Sequence, residues 1–218
     1  YTTSLNAAIY MSTTPALVLL INKFFFKERI SARNIAGVIL STVGVIWLVS
    51  QGDMINARVF AHLNQGDFWT MGSALSWAVY CAFLRIKPRE VKGNAFVAVS
   101  ALLGAIVLIP VLALELIRNG MPGWNSYANT GVVTGLAYLV IFPSWLSYLL
   151  WNKGISAIGA TRGEIYSHLI PLSGGLFSVM FLHVTLHSYH LVSALVIMCG
   201  IALCSRPSAK KGSQQRVA

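Results

Sequence analysis

Seven apolar stretches of bilayer length set the terms for this 218-residue chain. They cover residues 3–26, 34–50, 67–86, 95–117, 131–151, 163–183 and 189–205. A hydrocarbon core of about 30 Å takes about 20 apolar residues as a helix, with a range of about 17–25. Membrane β-strands would be about ten residues long and alternate in polarity. The stretch "VSALVIMCGIAL" (192–203) does not alternate. The chain is therefore expected to be an all-α polytopic membrane protein with seven helices present. Only 10% of its residues are charged, against about 25% in a soluble domain.

The formal net charge of +10 invites a nucleic-acid reading, and the placement of the charges answers it. All Lys and Arg except Arg58 and Arg118 lie in one set of connectors: "KERISARN" (27–34) with Lys23 before it, 85–93, 152–162, and the tail from Arg206. The other set, 51–66, 118–130 and 184–188, alternates with it along the chain. Basic residues concentrate on cytoplasmic loops. The first set and the C-terminus are thus expected to be cytoplasmic, and no nucleic-acid partner is expected. Cys81, Cys199 and Cys204 fall inside apolar stretches with no CxxC spacing, so they read as packing residues. No cofactor is implied.

"IYMSTTP" (9–15) and "IYSHLIP" (165–171) share Ile-Tyr, four residues, then Pro. Sliding the chain by 156 positions aligns 1–50 with 157–206 without a gap. It matches Ile9 with Ile165, Tyr10 with Tyr166, Pro15 with Pro171, Leu20 with Leu176, Phe25 with Phe181 and Gly44 with Gly200. The copies lie five stretches apart, an odd number, so they run in opposite directions across the membrane. Inverted repeats are typical of secondary transporters, with sites near the midplane. Five helices per unit make 67–205 a complete second repeat. Residues 1–50 are then the last two helices of a first repeat, 51–66 an external connector and 206–218 a basic tail. The chain begins at Tyr1, and three helices before it are expected to be missing.

The polar residues inside the stretches are the candidate site. Glu164 and His168 are four apart and are expected to share one helix face, as gate or proton-coupling candidates. A charge at the bilayer centre costs at least about 2.5–3.5 kcal/mol and usually faces the bundle interior. Pro15 and Pro171 deprive the carbonyls of Met11 and Ser167 of their helical partners, which predicts kinks with polar backbone at a cavity. Pro143 and Pro110 are further interior prolines. Trp77, Tyr80, Trp145 and Tyr148 lie away from segment ends, where aromatic rings can line a pocket. Trp47, Trp69, Trp124 and Trp151 read as interfacial anchors. The expected substrate cavity is Tyr10, Pro15, Trp77, Tyr80, Trp145, Tyr148, Tyr166, His168 and Pro171. Gly37, Gly44, Gly174 and Gly175 are expected to allow close helix packing. Ser31 is a plausible N-cap for the following helix. His183, His187 and His190 span an external turn with no carboxylate nearby, so no metal site is assigned.

Four stretches resemble one known family. They are "YMSTTPALVLLINKFFFKERISARNIAGVILSTVGVIWL", "GSALSWAVYCAFLR", "SYLLWNKGISAIGATRGEIYSHLIPL" and "HLVSALVIMCGIALCSRP". In order and spacing they resemble the drug/metabolite transporter superfamily, and within it the EamA-type transporters. The resemblance implies two inverted five-helix units and export or exchange of small metabolites. Val184 and Ser193 stand where the family pattern has Glu and Gly.

The expected function is a secondary transporter, an exporter of small metabolites (amino acids or other amphipathic compounds) in a bacterial inner membrane, working by alternating access. No phosphate-binding G-x-x-x-x-G-K-[ST] loop is present, so no built-in ATPase is expected. A homodimer is compatible with this reading. The alternatives are a non-transporting truncated or scaffold protein and, lower in rank, a membrane enzyme using Glu164 and His168 as an acid–base pair.

Overall fold

The computed structural model describes residues 4–53, 64–88, 90–121, 123, 129–182 and 185–205, with only the backbone at 4–6 and 182. Residues 54–63, Trp124, His183, Val184 and the tail 206–218 lie outside the described residues. All seven apolar stretches are helical. The first is a pair, α1 (Ser4–Ser12) and α2 (Thr14–Phe24), separated by Thr13. Then come α3 (Ala32–Val49), α4 (Gln65–Phe83) and α5 (Gly93–Asn119). The fifth stretch is α6 (Thr130–Leu139), a wide π-type turn over Val140–Leu146, and α7 (Ser147–Ile158). The sixth is α8 (Ala160–Gly163), a 3-10 segment over Glu164–His168, and α9 (Leu169–Leu182). The last is α10 (Ser188–Ser205). No strand occurs among the described residues.

Five runs are long and apolar enough to cross a bilayer: Ala7–Phe24, α3, α5, Thr130–Ile158 and α10. The stretches at 67–86 and 163–183 are helical but are not among these five. α4 is long enough but opens on Gln65 and Asp67 and carries Thr70, Ser73, Ser76 and Trp77. The sixth stretch is broken into pieces of 4, 5 and 14 residues. These two hold Trp77, Glu164 and His168, so the candidate site sits on the less apolar and less regular segments.

The described chain forms two compact units. One is Tyr1–Arg85 with Ile158–Ala218, and the other is Ile86–Ala157. In the first, Leu19, Val38, Val45, Ile165, Ile197, Ile201 and Cys204 form the core. α3 and α10 pack antiparallel: Gly37 lies against Cys204, Ser41 against Gly200, and Gly44 against Ile197. A Cβ on Gly200 would fall 2.6 Å from the Ser41 amide nitrogen and 2.7 Å from the Gly37 carbonyl oxygen. One on Gly44 would fall 2.8 Å from Ile197 Cγ1. Gly37 and Gly44 thus do what small residues do in membranes, letting backbones meet. Gly174 and Gly175 make no such contact among the described residues, where nothing lies within 4 Å of a Cβ added there. In the second unit α5 and α6 leave nearly every apolar side chain exposed, and Val97, Asn152 and Ile155 are its buried members.

Helix starts follow local chemistry. Ser31 caps α3, its Oγ accepting from the Asn34 amide at 3.2 Å. α4 begins two residues earlier than its apolar pattern predicts. Asn64 Oδ1 accepts from the Asp67 amide at 3.1 Å, and Asp67 Oδ2 accepts from the Asn64 amide at 2.8 Å. This reciprocal pair closes two orphan donors.

Pro15 and Pro171 do not kink continuous helices. Each sits in the first turn of a helix that restarts after an interruption, α2 after Thr13 and α9 after the 3-10 segment. The missing N–H costs little there. Pro110 remains inside α5, and Pro143 lies in the π-type turn.

Gly200→Ala should lower stability in detergent by about 1–3 kcal/mol, the usual cost of overpacking. Gly174→Ala should leave it unchanged or slightly raised. Thermal unfolding of both variants checks this, and equal effects would contradict the α3–α10 contact.

Candidate functional site

The first element of the site is the break between α1 and α2. Pro15 cannot donate to the Met11 carbonyl, and three consecutive hydroxyls manage the consequences. Ser12 Oγ donates to the Ile9 carbonyl at 2.7 Å, and Thr13 Oγ1 to the Tyr10 carbonyl at 2.6 Å. Thr14 Oγ1 donates to the Met11 carbonyl. The carbonyl expected to line a cavity is therefore taken by its own chain. Short hydroxyl side chains suit this because they reach carbonyls three or four residues back.

The Ser12 carbonyl has a different partner. His168 Nε2 lies 3.0 Å from it, and Nδ1 lies 2.7 Å from Ser41 Oγ on α3. A carbonyl only accepts, so Nε2 carries a proton. In the neutral ring Nδ1 accepts from the Ser41 hydroxyl. Ser41 Oγ is also 3.1 Å from the Val38 carbonyl. If Nδ1 gains a proton, Ser41 can accept it and donate to Val38 instead. Both ring nitrogens then stay hydrogen-bonded in either protonation state, while the single Ser41 proton turns from Nδ1 to Val38. His168 is 2% exposed, Ser12 5% and Ser41 0%. The ring binds the broken first stretch to α3.

Glu164 faces elsewhere. Trp77 Nε1 on α4 donates to Glu164 Oε1 at 3.0 Å. Cys81, one turn along α4, flanks the same carboxylate. Glu164 is fully buried, and its Oε2 has no hydrogen-bond partner among the described residues. The expectation that Glu164 and His168 share a face fails for a geometric reason. On an α-helix four residues advance about 400°, nearly one full turn. On a 3-10 helix each residue advances about 120°, so positions four apart point about 120° apart. Residues 164–168 take the second form. They serve two partners rather than forming an acid–base pair.

The other expected residues divide. Tyr80 stacks beside Trp77, ring centroids 5.5 Å apart. Tyr10 and Pro15 are buried in the first unit, and Pro171 is half-buried there. Tyr166, the counterpart of Tyr10, is instead exposed, its hydroxyl 2.9 Å from Ser205 Oγ. Trp145 and Tyr148 belong to the second unit and are exposed within it. His187 and His190 both lie against Tyr189, at 5.4 and 4.1 Å between ring centroids.

One polar chain was not foreseen. Asn22 Nδ2, at the end of α2, donates to Thr161 Oγ1 on α8 at 2.8 Å. Thr161 donates to Glu28 Oε1 at 3.0 Å. Arg85 Nη1, after α4, pairs with Glu28 Oε2 at 3.1 Å. Glu28, Arg85 and Thr161, one from each of the basic connectors 27–34, 85–93 and 152–162, are therefore joined at one end of the first unit. Lys27, at φ 49°, turns the chain so that the Glu28 amide reaches back to the Asn22 carbonyl at 3.0 Å. The only sequence signals were the unassigned third position of "GATR" and an Asn in an apolar helix.

These features define a multi-pass helical membrane protein whose interrupted helices carry buried polar side chains. A solved crystal structure shares the fold at a TM-score of 0.74 and 20% sequence identity, covering 93% of this chain and 69% of its own. The model of the EamA-like transporter family matches residues 64–206, and the chain belongs to that family. "Uncharacterized transporter YyaM" of Bacillus subtilis is 23% identical over 205 residues, which is 94% of this chain and 65% of that protein. An "Uncharacterized transporter" of Haemophilus influenzae is 38% identical over 111 residues, 50% of this chain and 62% of its own. The "Probable amino-acid metabolite efflux pump" of Salmonella typhimurium is 23% identical over 198 residues, 89% of this chain and 65% of its own. The chain thus spans about two thirds of the length of these relatives.

Trp77→Phe removes one donor from a buried carboxylate and should cost about 1–3 kcal/mol of stability. In a Glu164→Gln background the same change should cost clearly less. A double-mutant cycle by denaturant unfolding measures the coupling, and additive losses would mean that the 3.0 Å contact carries no energy.

Proposed function

We propose that this chain forms part of a secondary transporter that exports small metabolites by alternating access. The observation that carries the reading is the contact between Ser12 and His168. These are counterpart positions under the 156-residue offset, and they touch. Counterparts related by a two-fold rotation can touch only near its axis. The α3–α10 contacts agree with this. The pair Gly44 and Ile197 becomes Ser41 and Gly200 when the copies are exchanged, and both contacts are present. Counterpart helices that run antiparallel are what an inverted repeat requires. Transporter sites of this architecture lie at the repeat interface near the midplane.

Family membership supports transport rather than an enzyme activity. The name of the Salmonella relative supports amino acids or similar amphipathic compounds as substrates. Trp77, Tyr80, Tyr10, Glu164 and His168 are the residues proposed to recognise substrate or couple its movement to protons. The joining of Glu28, Arg85 and Thr161, one from each of three basic connectors, supports a cytoplasmic location for the Glu28 end, and so for the end of α10, in a bacterial inner membrane.

Cells overexpressing the gene should accumulate one or more small metabolites in the medium above a vector control. Trp77→Ala and His168→Ala should each abolish the excess. No rise across a broad metabolite panel would refute the transport reading. Proton coupling is tested separately: pH-driven transport that survives in both His168→Ala and Glu164→Gln would remove these residues from it.

A further inference from the structure

We propose that Asn22, Thr161, Glu28 and Arg85 form a latch that holds the Glu28 end of the first unit closed, and that the counterpart positions in the other copy of the repeat cannot form the same chain of bonds. The inference rests on the transport reading only in calling the closed end a gate. The latch itself follows from geometry. Its members come from four separate places in the chain: the end of α2, the turn before α3, the end of α4, and α8. The end of α2 and α8 cannot separate without breaking the bond from Asn22 to Thr161, which is 2.8 Å long and buried at both residues. Thr161 cannot move away from the turn without losing the Glu28 carboxylate. Arg85 extends the same carboxylate to the end of α4, and its guanidinium also lies 4.6 Å from the Phe26 ring centroid.

The other copy of the repeat shows what is particular to this end. At the 156-residue offset Thr161 corresponds to Leu5, Asn22 to Ser178, and Glu28 to Val184. Two of the three cannot hydrogen-bond through their side chains. The third, Ser178, spends its hydroxyl on the Gly174 carbonyl of its own helix at 2.9 Å. Exchanging the roles of the two copies is the usual way an inverted repeat reaches its second state, and here that exchange cannot rebuild the polar chain. The closed state at the Glu28 end is therefore held by directional bonds that the alternative state lacks.

A native thiol reports on the latch. Cys204 Sγ lies 3.9 Å from the Thr161 carbonyl and is fully buried. Cys81 is equally buried on α4 and reports general loosening. Membrane vesicles carrying the protein are treated with a charged methanethiosulfonate reagent, and modification at each cysteine is followed by peptide mass spectrometry. Thr161→Val should raise the rate at Cys204 about five- to tenfold, the loss of about one hydrogen bond, and leave Cys81 protected. Asn22→Ala should act alike. Thr161→Ser, which keeps the hydroxyl, should retain the wild-type rate. Glu28→Gln, which keeps an acceptor for Thr161, should give a smaller rise. An unchanged rate at Cys204 in both Thr161→Val and Asn22→Ala would overturn the latch, as would Cys81 rising in step with Cys204. The readout needs no transport, so a protein that exports nothing but labels as expected would keep the latch and lose the transport reading.

Discussion

Inside a bilayer no water is available to an unpaired backbone group, and that constraint organises the first unit. A helix broken at Ser12–Thr14 in lipid would leave carbonyls costing several kcal/mol each. The chain answers with hydroxyls at three successive positions and with one imidazole from 156 residues away. The hydroxyls are local and would form in an isolated segment. The imidazole is not local. It ties the break to the 3-10 segment and, through Ser41, to α3. Without this tie the interruption would be a defect. With it, the interruption becomes a junction where three elements share one set of hydrogen bonds.

The two buried polar groups of the sixth stretch divide their labour because the backbone there is overwound. His168 has both ring nitrogens engaged, with the Ser12 carbonyl and Ser41. Glu164 keeps one oxygen, Oε2, without a hydrogen-bond partner among the described residues.

Much of the architecture was legible in the sequence because it depends on local rules. Apolar length located every helix, Ser31 marked a cap, and the spacing of Gly37 and Gly44 marked a close helix contact. The charge pattern did not show which residues of the basic connectors would touch, and Glu28 joins Arg85 and Thr161. What was illegible depends on long-range geometry. Nothing local pairs Asn22 with Thr161, 139 positions on, or His168 with Ser41, 127 positions back. The shared face assigned to Glu164 and His168 failed because a period of 3.6 was assumed where the chain adopts 3.0. The two prolines were read as kinks because sequence shows that a helix contains proline, not whether it has just restarted. The Asn64–Asp67 cap was in principle readable, as an Asn three residues ahead of an acid before an apolar run.

The glycine contact between α3 and α10 has a mechanical consequence. Most helix pairs interlock through side-chain ridges, and moving one against the other means unseating knobs from holes. Here backbone meets backbone at Gly37, Gly200 and Ser41, with the Cβ atoms of Ser41 and Cys204 the only side-chain atoms among the nearest neighbours of Gly200 and Gly37. Such a seam has little to unseat, so it resists separation while allowing the helices to roll. A contact of this kind acts as a bearing between α3 and α10, favouring rotation of one helix on the other over their separation.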